Sequence, residues 1–454
     1  MHVAVIESRR EAVERWAWRL APVAVGLGAL ALNLVTLGRK SLWIDEAQTV
    51  DLVTQSWGEL WHDVQAFEAP HGMYYAAAKL WLSVAGTSEW AVRFPSAVAG
   101  ALAVSLIFVL GSRLFGRWAG LAAAGALATS VYVLIWSQQG RGYSLALAAA
   151  VLATLAFVSA LEHPSWRRWA LWALAVALAI AVNLFVVAIV AAHAVAFAVR
   201  RPLPSLRAPL VALGAAGATA VGLAAFVRRA DAGQLDWLDP PTLETVGSGA
   251  WQLAGANPFV IAVAIVGAIG LATGAVRGSE RWKTVLLVAW LAAPFVLTLG
   301  LSVVQSAFHT RYLVSAAPAV ALLVAAGVVA QRRWVAVALV VLLGVSAGFR
   351  LVQWYAGPAT EDWRAAVGAV RAEQQAGEAV IAVPDYQRVS LAYYAGPGFD
   401  ASEPSGERVW LLVASPDADE RLRLARGLVD PPQYALLEER QFGERLWLQV
   451  WEVP

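Results

Sequence analysis

The chain of 454 residues contains no cysteine. Disulfides and cysteine-held metals are therefore excluded. Charge is scarce as well. Asp, Glu, Lys and Arg supply 15% of the residues, against roughly 25% in an average soluble domain. Hydrophobic residues supply 59%, and apolar runs of about 17 residues or more, the length a bilayer core demands, recur along the first three-quarters. The composition is that of a polytopic membrane protein. The net charge of +2 is small; its distribution is what informs, and no nucleic-acid partner is expected. A short apolar stretch followed by a small-residue cleavage site is missing near the start, so the first apolar run reads as an anchor.

Eleven spans are expected, at 20–37, 97–111, 118–135, 143–161, 168–182, 184–199, 208–227, 258–276, 284–304, 312–330 and 334–350. The run 168–199 is too long for one helix and is split near Asn183. Basic residues set the sidedness. With the N-terminus in the cytoplasm, the connections SRLFGR (112–117), EHPSWRR (162–168), VRRPLPSLR (199–207), VRGSERWK (276–283) and QRR (331–333) are cytoplasmic. Each holds at least two Arg or Lys, as the positive-inside rule requires. The opposite face then receives 38–96, 136–142, 228–257, 305–311 and the tail from 351.

From about residue 358 the material changes. EDWRAAVGAVRAEQQAGEAVIAV (361–383) reads as a helix and then a strand, VWLLVA (409–414) and RLWLQVWEV (445–453) read as strands, and 418–428 reads as a helix. The expected organisation is a membrane domain over 1–357 and a small extracytoplasmic α/β domain over 358–454.

The spans contain no Asp, Glu or Lys, and Arg only at their ends. A coupled transporter keeps ionisable groups at membrane depth, so this pattern favours chemistry at a membrane surface. Four clusters stand on the non-cytoplasmic face: Trp43-Ile44-Asp45-Glu46-Ala47, Glu68-Ala69-Pro70-His71-Gly72-Met73-Tyr74-Tyr75, Ser137-Gln138-Gln139-Gly140-Arg141-Gly142-Tyr143 and His309-Thr310-Arg311-Tyr312. A lone interfacial arginine is commonly a snorkelling anchor. Two Arg–Tyr pairs facing carboxylates suit a phosphate instead, because guanidinium grips its oxygens and a phenol adds a hydrogen bond. Val50, Val53, Trp57, Leu60 or Trp61 and Val64 recur at helical spacing, which predicts an amphipathic helix in the interface; KLWLSV (79–84) suggests a second. Ordinary structural roles fit other polar residues. Asp45 is well suited to capping a helix from Ala47. His193 suits an interhelical hydrogen bond, Asn183 a bend, His62 and Asp63 a solvated helix face, and Asp362 a cap for the tail helix. Asp236, Trp237 and Asp239 lie in a long loop that could close over a substrate.

These segments resemble the C-type glycosyltransferase (GT-C) superfamily, and most closely its family 39, with the bacterial protein O-mannosyltransferases and aminoarabinose transferases. W-x-D-E-A at 43–47 opens the resemblance. APHGMYYAAAKLW with AVRFPSAVAG, SQQGRGYSLAL, LDWLDPPTLETV and RYLVSAAPAVALL follow in the family's order, ending at Leu323. The resemblance implies the GT-C fold, with about eleven transmembrane helices and interfacial helices in the first outer loop. It implies a bacterial plasma-membrane enzyme that moves a sugar from a polyprenyl-phosphate donor to a glycan, glycolipid or protein acceptor with inversion. Asp45 is then the general base, and Glu46, His71, Tyr74, Arg141, Tyr143, Arg311 and Tyr312 are substrate-binding. A carboxylate base is chemically apt for a hydroxyl acceptor, and the arginines are apt for a phosphate leaving group. The chain departs from the pattern where Gly72-Met73 follow His71 and where Gln138 and Gln139 stand near Arg141. The second departure argues against a two-carboxylate site. No cofactor is expected; a divalent metal on Asp45, Glu46 and His71 is the less favoured alternative. The competing functions are a lipid-linked-sugar transporter or flippase and a non-catalytic scaffold.

Overall fold

The computed structural model describes residues 2–66, 68, 71–200, 205–228, 235–275, 280–396, 399–401, 403–429 and 433–454. Ala69 and Pro70 of the second cluster, 201–204 and 276–279 of two basic connections, and 229–234 lie outside the described residues. The fold is an all-α polytopic membrane bundle with a small α/β domain at the C-terminus.

Helices stand at all eleven expected spans. Among the described residues, seven are long and apolar enough to cross a membrane, or up to nine if each of two bent pairs is one span. Arg117–Ala128 and Val131–Ser137 form one pair, bent by 63°; Ser130 caps the second half, its Oγ accepting from the Val133 amide. The run 168–199 divides at Asn183 as expected. Asn183 turns to extended backbone after Trp166–Val182, and its Oδ1 accepts from the Phe185 amide at 3.0 Å. The second half is a 4-residue 3-10 turn followed by a 12-residue helix, shorter than the about 20 residues that a full crossing takes.

Contacts divide the chain into two compact units. The first comprises 1–35, 61–74 and 94–354 and holds the bundle. Its core is built on Leu286, Leu287 and Trp290, with Ile107, Val151 and Ile189, all fully buried. Glycine sets one close crossing. A Cβ at Gly267 would stand 2.0 Å from the Leu323 carbonyl oxygen, and one at Gly327 would stand 2.3 Å from that of Val263. Only glycine lets the helices Pro258–Ala275 and Ala317–Val329 approach so nearly. His193 is a packed core group. It accepts from Trp172 Nε1 at 3.1 Å on Nδ1, so the proton sits on Nε2, 3.1 Å from Thr154 Oγ1.

The second unit comprises 36–60, 75–93 and 355–454. Four strands, β1 (Ala379–Val383), β2 (Arg408–Ala414), β3 (Ala435–Phe442) and β4 (Leu446–Glu452), form one sheet in the order β1-β2-β4-β3. β1 and β2 are parallel and the other pairs antiparallel. Trp363, Val370, Leu412 and Leu448 build its core beneath the helix Trp363–Glu373. The same unit takes up the helix Ile44–Thr54, against which the tail helix Arg388–Ala395 packs. The single amphipathic helix expected after Asp45 is two helices, Ile44–Thr54 and Trp57–Ala66. Ser56 and Glu59 break it with a reciprocal cap: the Ser56 amide donates to Glu59 Oε2 at 2.9 Å and the Glu59 amide to Ser56 Oγ at 3.3 Å.

Candidate active site

In the bundle, the stretch 71–74 and the turn before Tyr143–Glu162 bring His71, Tyr74 and Arg141 together, with Glu68 beside them. His71 Nδ1 lies 3.1 Å from Glu68 Oε2, and Arg141 Nη2 lies 3.8 Å from the same oxygen. Arg141 is 4% exposed, so its charge sits in low dielectric beside this partner. The Tyr74 hydroxyl donates to the Gly140 carbonyl, and Ser96 Oγ donates to that of Arg141 at 3.0 Å. The arginine loop is thus fixed at two consecutive carbonyls. Glu68 lay unassigned within a noted cluster, and it supplies beside Arg141 the carboxylate that Gln138 and Gln139 do not. Gln138 is structural. Its amide donates to the Asn33 and Val35 carbonyls and accepts from Trp354 Nε1 at 2.7 Å.

A second group surrounds Arg311. His309 caps the turn Thr310–Ala316, accepting from the Arg311 amide at 3.2 Å. The Arg311 guanidinium lies 4.7 Å from the Trp237 ring centroid, a cation–π distance. Tyr312 stacks on Phe185 at 4.0 Å. The loop residue Trp237 therefore reaches this group, whereas Asp236 accepts from Gln305 Nε2. Tyr143 is buried, with its ring 4.8 Å from Trp136. Trp136 in turn meets Tyr132, whose hydroxyl donates to the Thr310 carbonyl at 2.6 Å. That chain of rings couples the Arg141 turn to the Arg311 turn.

An apolar cavity of about 960 Å³ lies in the bundle among Leu121, Val260, Val324, Val340 and Leu343. Ser130 and Val131, the neighbours of Tyr132, line it as well.

Asp45 and Glu46 lie in the second unit and differ sharply. Glu46 is fully buried. Arg93 holds it with Nη2 at 2.6 Å and Nε at 2.8 Å. Asp45 is half-buried inside the first turn of Ile44–Thr54; the helix starts at Ile44 rather than Ala47, so its cap is Trp43 and not Asp45 as expected, and the Trp43 amide donates to Glu46. Arg93 was not assigned a role from the sequence. Its position in the AVRFPSAVAG segment, charged and on the face otherwise poor in Arg, was the available signal. The tail adds Glu361, which accepts from Trp363 Nε1 at 2.9 Å and Gln387 Nε2 at 3.4 Å. Burial pushes the Glu361 carboxyl up; Trp363 and Arg445 oppose this, and the Asp45 carboxylate adds to the rise. Asp362 caps its helix as expected, accepting from the Ala365 amide. No group of three or more His, Asp or Glu side chains that could hold a metal ion is present among the described residues.

The apolar helices define the class, a multi-pass membrane protein. A family model described as dolichyl-phosphate-mannose-protein mannosyltransferase matches residues 69–227, the stretch that carries His71, Tyr74, Arg141 and Tyr143. The chain is similar in structure to ArnT from Cupriavidus metallidurans bound to undecaprenyl phosphate, at a TM-score of 0.56 and 15% identity, covering 96% of this chain and 98% of that one. The apo state of that ArnT matches at a TM-score of 0.53 and 16% identity, over the same shares of each chain. No curated protein sequence matches.

Proposed function

We propose that the protein is a glycosyltransferase that takes its sugar from a polyprenyl-phosphate carrier at the extracytoplasmic face of a bacterial plasma membrane. The acceptor is a hydroxyl of a cell-envelope glycan, glycolipid or protein. That oxygen attacks the anomeric carbon from the face opposite the phosphate. The new C–O bond forms as the bond to the phosphate breaks, which inverts the centre. Asp45 takes the acceptor proton and returns it to solvent. Polyprenyl phosphate leaves with the bonding electron pair. Arg141 and Arg311 offset the charge that develops on it, and no metal is required for that role. His71, oriented by Glu68, lies beside the Arg141 guanidinium and contacts the phosphate or the acceptor. Tyr74, Tyr143 and Tyr312 shape this region, Tyr74 by fixing the Arg141 loop. Glu46 orients the Asp45 helix rather than touching the sugar, because Arg93 occupies both of its oxygens. The apolar cavity suits the carrier's prenyl chain.

The Glu68–His71–Arg141 group, with Arg141 buried and with His71 and Arg141 inside the segment matched by the mannosyltransferase model, is the observation that carries this reading. The test is a panel of radiolabelled polyprenyl-phosphate sugars offered to membranes containing the protein, with total envelope glycoconjugates as acceptor. Transfer of label with release of polyprenyl phosphate is expected, and is expected to persist in EDTA. Movement of intact donor across the bilayer without release of the lipid phosphate would establish a flippase instead.

A further inference from the structure

The residues just before Asp45 have almost no secondary structure of their own. Between 37 and 42 the chain is turn and coil, yet all its residues but Arg39 are buried or half-buried, and their polar backbone atoms need partners. Two arginines supply most of them. Arg93 donates to the carbonyls of Leu37 at 2.9 Å, Lys40 at 2.8 Å and Ser41 at 2.9 Å. Arg364, from the tail, donates to those of Arg39 at 3.3 Å and Gly38 at 3.4 Å. The Leu42 amide donates to the Tyr394 hydroxyl, also from the tail, at 2.7 Å. Ser41 Oγ donates to Asp362 Oδ1 at 2.8 Å and accepts from the Arg364 amide at 3.2 Å. Arg364 and Tyr394 are themselves tied to one carboxylate, Glu89. Burial pushes the Tyr394 hydroxyl far above its ordinary value, so it stays a neutral donor and acceptor.

We propose that Asp362, Arg364 and Tyr394 are positioning residues for Asp45: the tail acts as a clamp that fixes the loop 37–42, and through it the first turn carrying the base. This rests on the reading of Asp45 as the general base. The physical argument is one of leverage. Leu42 precedes Trp43, the cap of the helix on which Asp45 occupies the first turn. A loop free to shift by about 1 Å would carry the carboxylate out of line with the acceptor oxygen, a displacement that can cost on the order of 100-fold in rate. Exposed ion pairs contribute little, so the Arg364–Glu89 pair is secondary. The two partly buried hydrogen bonds, Leu42 to Tyr394 and Ser41 to Asp362, carry the clamp.

The test uses the full chain in nanodiscs, comparing wild type with Tyr394→Phe, Ser41→Ala and Asp45→Asn. Ser41→Ala breaks the clamp from the loop side and leaves the Asp362 cap intact, so it holds even if the tail variant folds poorly. Hydrogen exchange of peptides covering 37–46 and turnover at saturating donor are measured together. We expect at least 10-fold faster exchange at Leu42 in Tyr394→Phe. We also expect a fall in kcat of roughly 10- to 100-fold in both clamp variants with donor KM unchanged; Ser41→Thr should restore most of it. Unchanged exchange, unchanged kcat, or a loss expressed in donor KM overturns the clamp. Wild-type turnover in Asp45→Asn overturns the assignment of the base instead, and the exchange measurement still decides whether the tail holds the loop.

Discussion

Asp45 and Glu46 are adjacent acids in opposite environments. Glu46 faces inward onto Arg93 with 0% of its surface exposed, while Asp45 remains half-exposed at a helix start. A buried carboxylate with a bidentate guanidinium is strongly coupled to its partner, because removing one side leaves an uncompensated charge in low dielectric. Arg93→Met should therefore destabilise the protein by about 3–5 kcal/mol, read as a lower midpoint of thermal unfolding in detergent; an unchanged midpoint would show that the pair is not structural. Arg311 is expected to act on the donor. Arg311→Ala should raise the apparent donor KM by about 10-fold or more, since charge-assisted bonds to phosphate contribute roughly 1.5–3 kcal/mol, while acceptor KM stays near wild type. Equal effects on both substrates would reject its phosphate role.

The helices after Asp45 show how far the sequence could be read. Helical spacing from Val50 to Val64 was visible, and it predicted one helix. The Ser56-x-x-Glu59 cap that divides it was also visible, but it competes with an apolar stripe that runs on across the break. Ser56→Ala should cost the second helix about 1 kcal/mol, seen as faster hydrogen exchange at Gly58 to Leu60. The bundle was legible because membrane length leaves few alternatives to a helix, and the split at Asn183 followed from the excess length of the run. β3 was missed for a physical reason: its residues Leu436 to Arg440 are mostly solvent-facing, so ALLEERQF shows no buried alternation. Arg141 and Arg311 stood out because they break the charge rule. Their partners did not. Glu68 and Trp237 are joined to them only by tertiary contact, and no local period marks such a pairing.

In the whole chain, the least legible feature is that the tail does not form a unit by itself. It folds together with 36–60 and 75–93, through contacts such as Ser41 to Asp362 that span 321 positions. One consequence is a pH dependence of this unit's stability. Burial pushes the half-buried Lys40 down to about 8 from 10.5; Glu444 opposes the shift, and the charges of Arg39 and Arg93 add to it. The unfolded chain thus binds more protons than the folded one between those values, and stability should rise with pH across that window and stay flat just below it. Lys40→Met should flatten the rise in midpoint measured from pH 8 to pH 10; a rise that persists in the variant would assign it to another group.

The central claim is that Asp45 removes the acceptor proton. It is tested most directly by comparing wild type and Asp45→Asn in single-turnover transfer from a labelled polyprenyl-phosphate sugar, with donor binding measured on the same preparations. Asn keeps the size and one acceptor oxygen but cannot accept a proton at neutral pH. The account predicts wild-type donor affinity and a transfer rate lower by at least about 100-fold, the lower range for loss of a general base. Transfer at the wild-type rate with intact binding would contradict it.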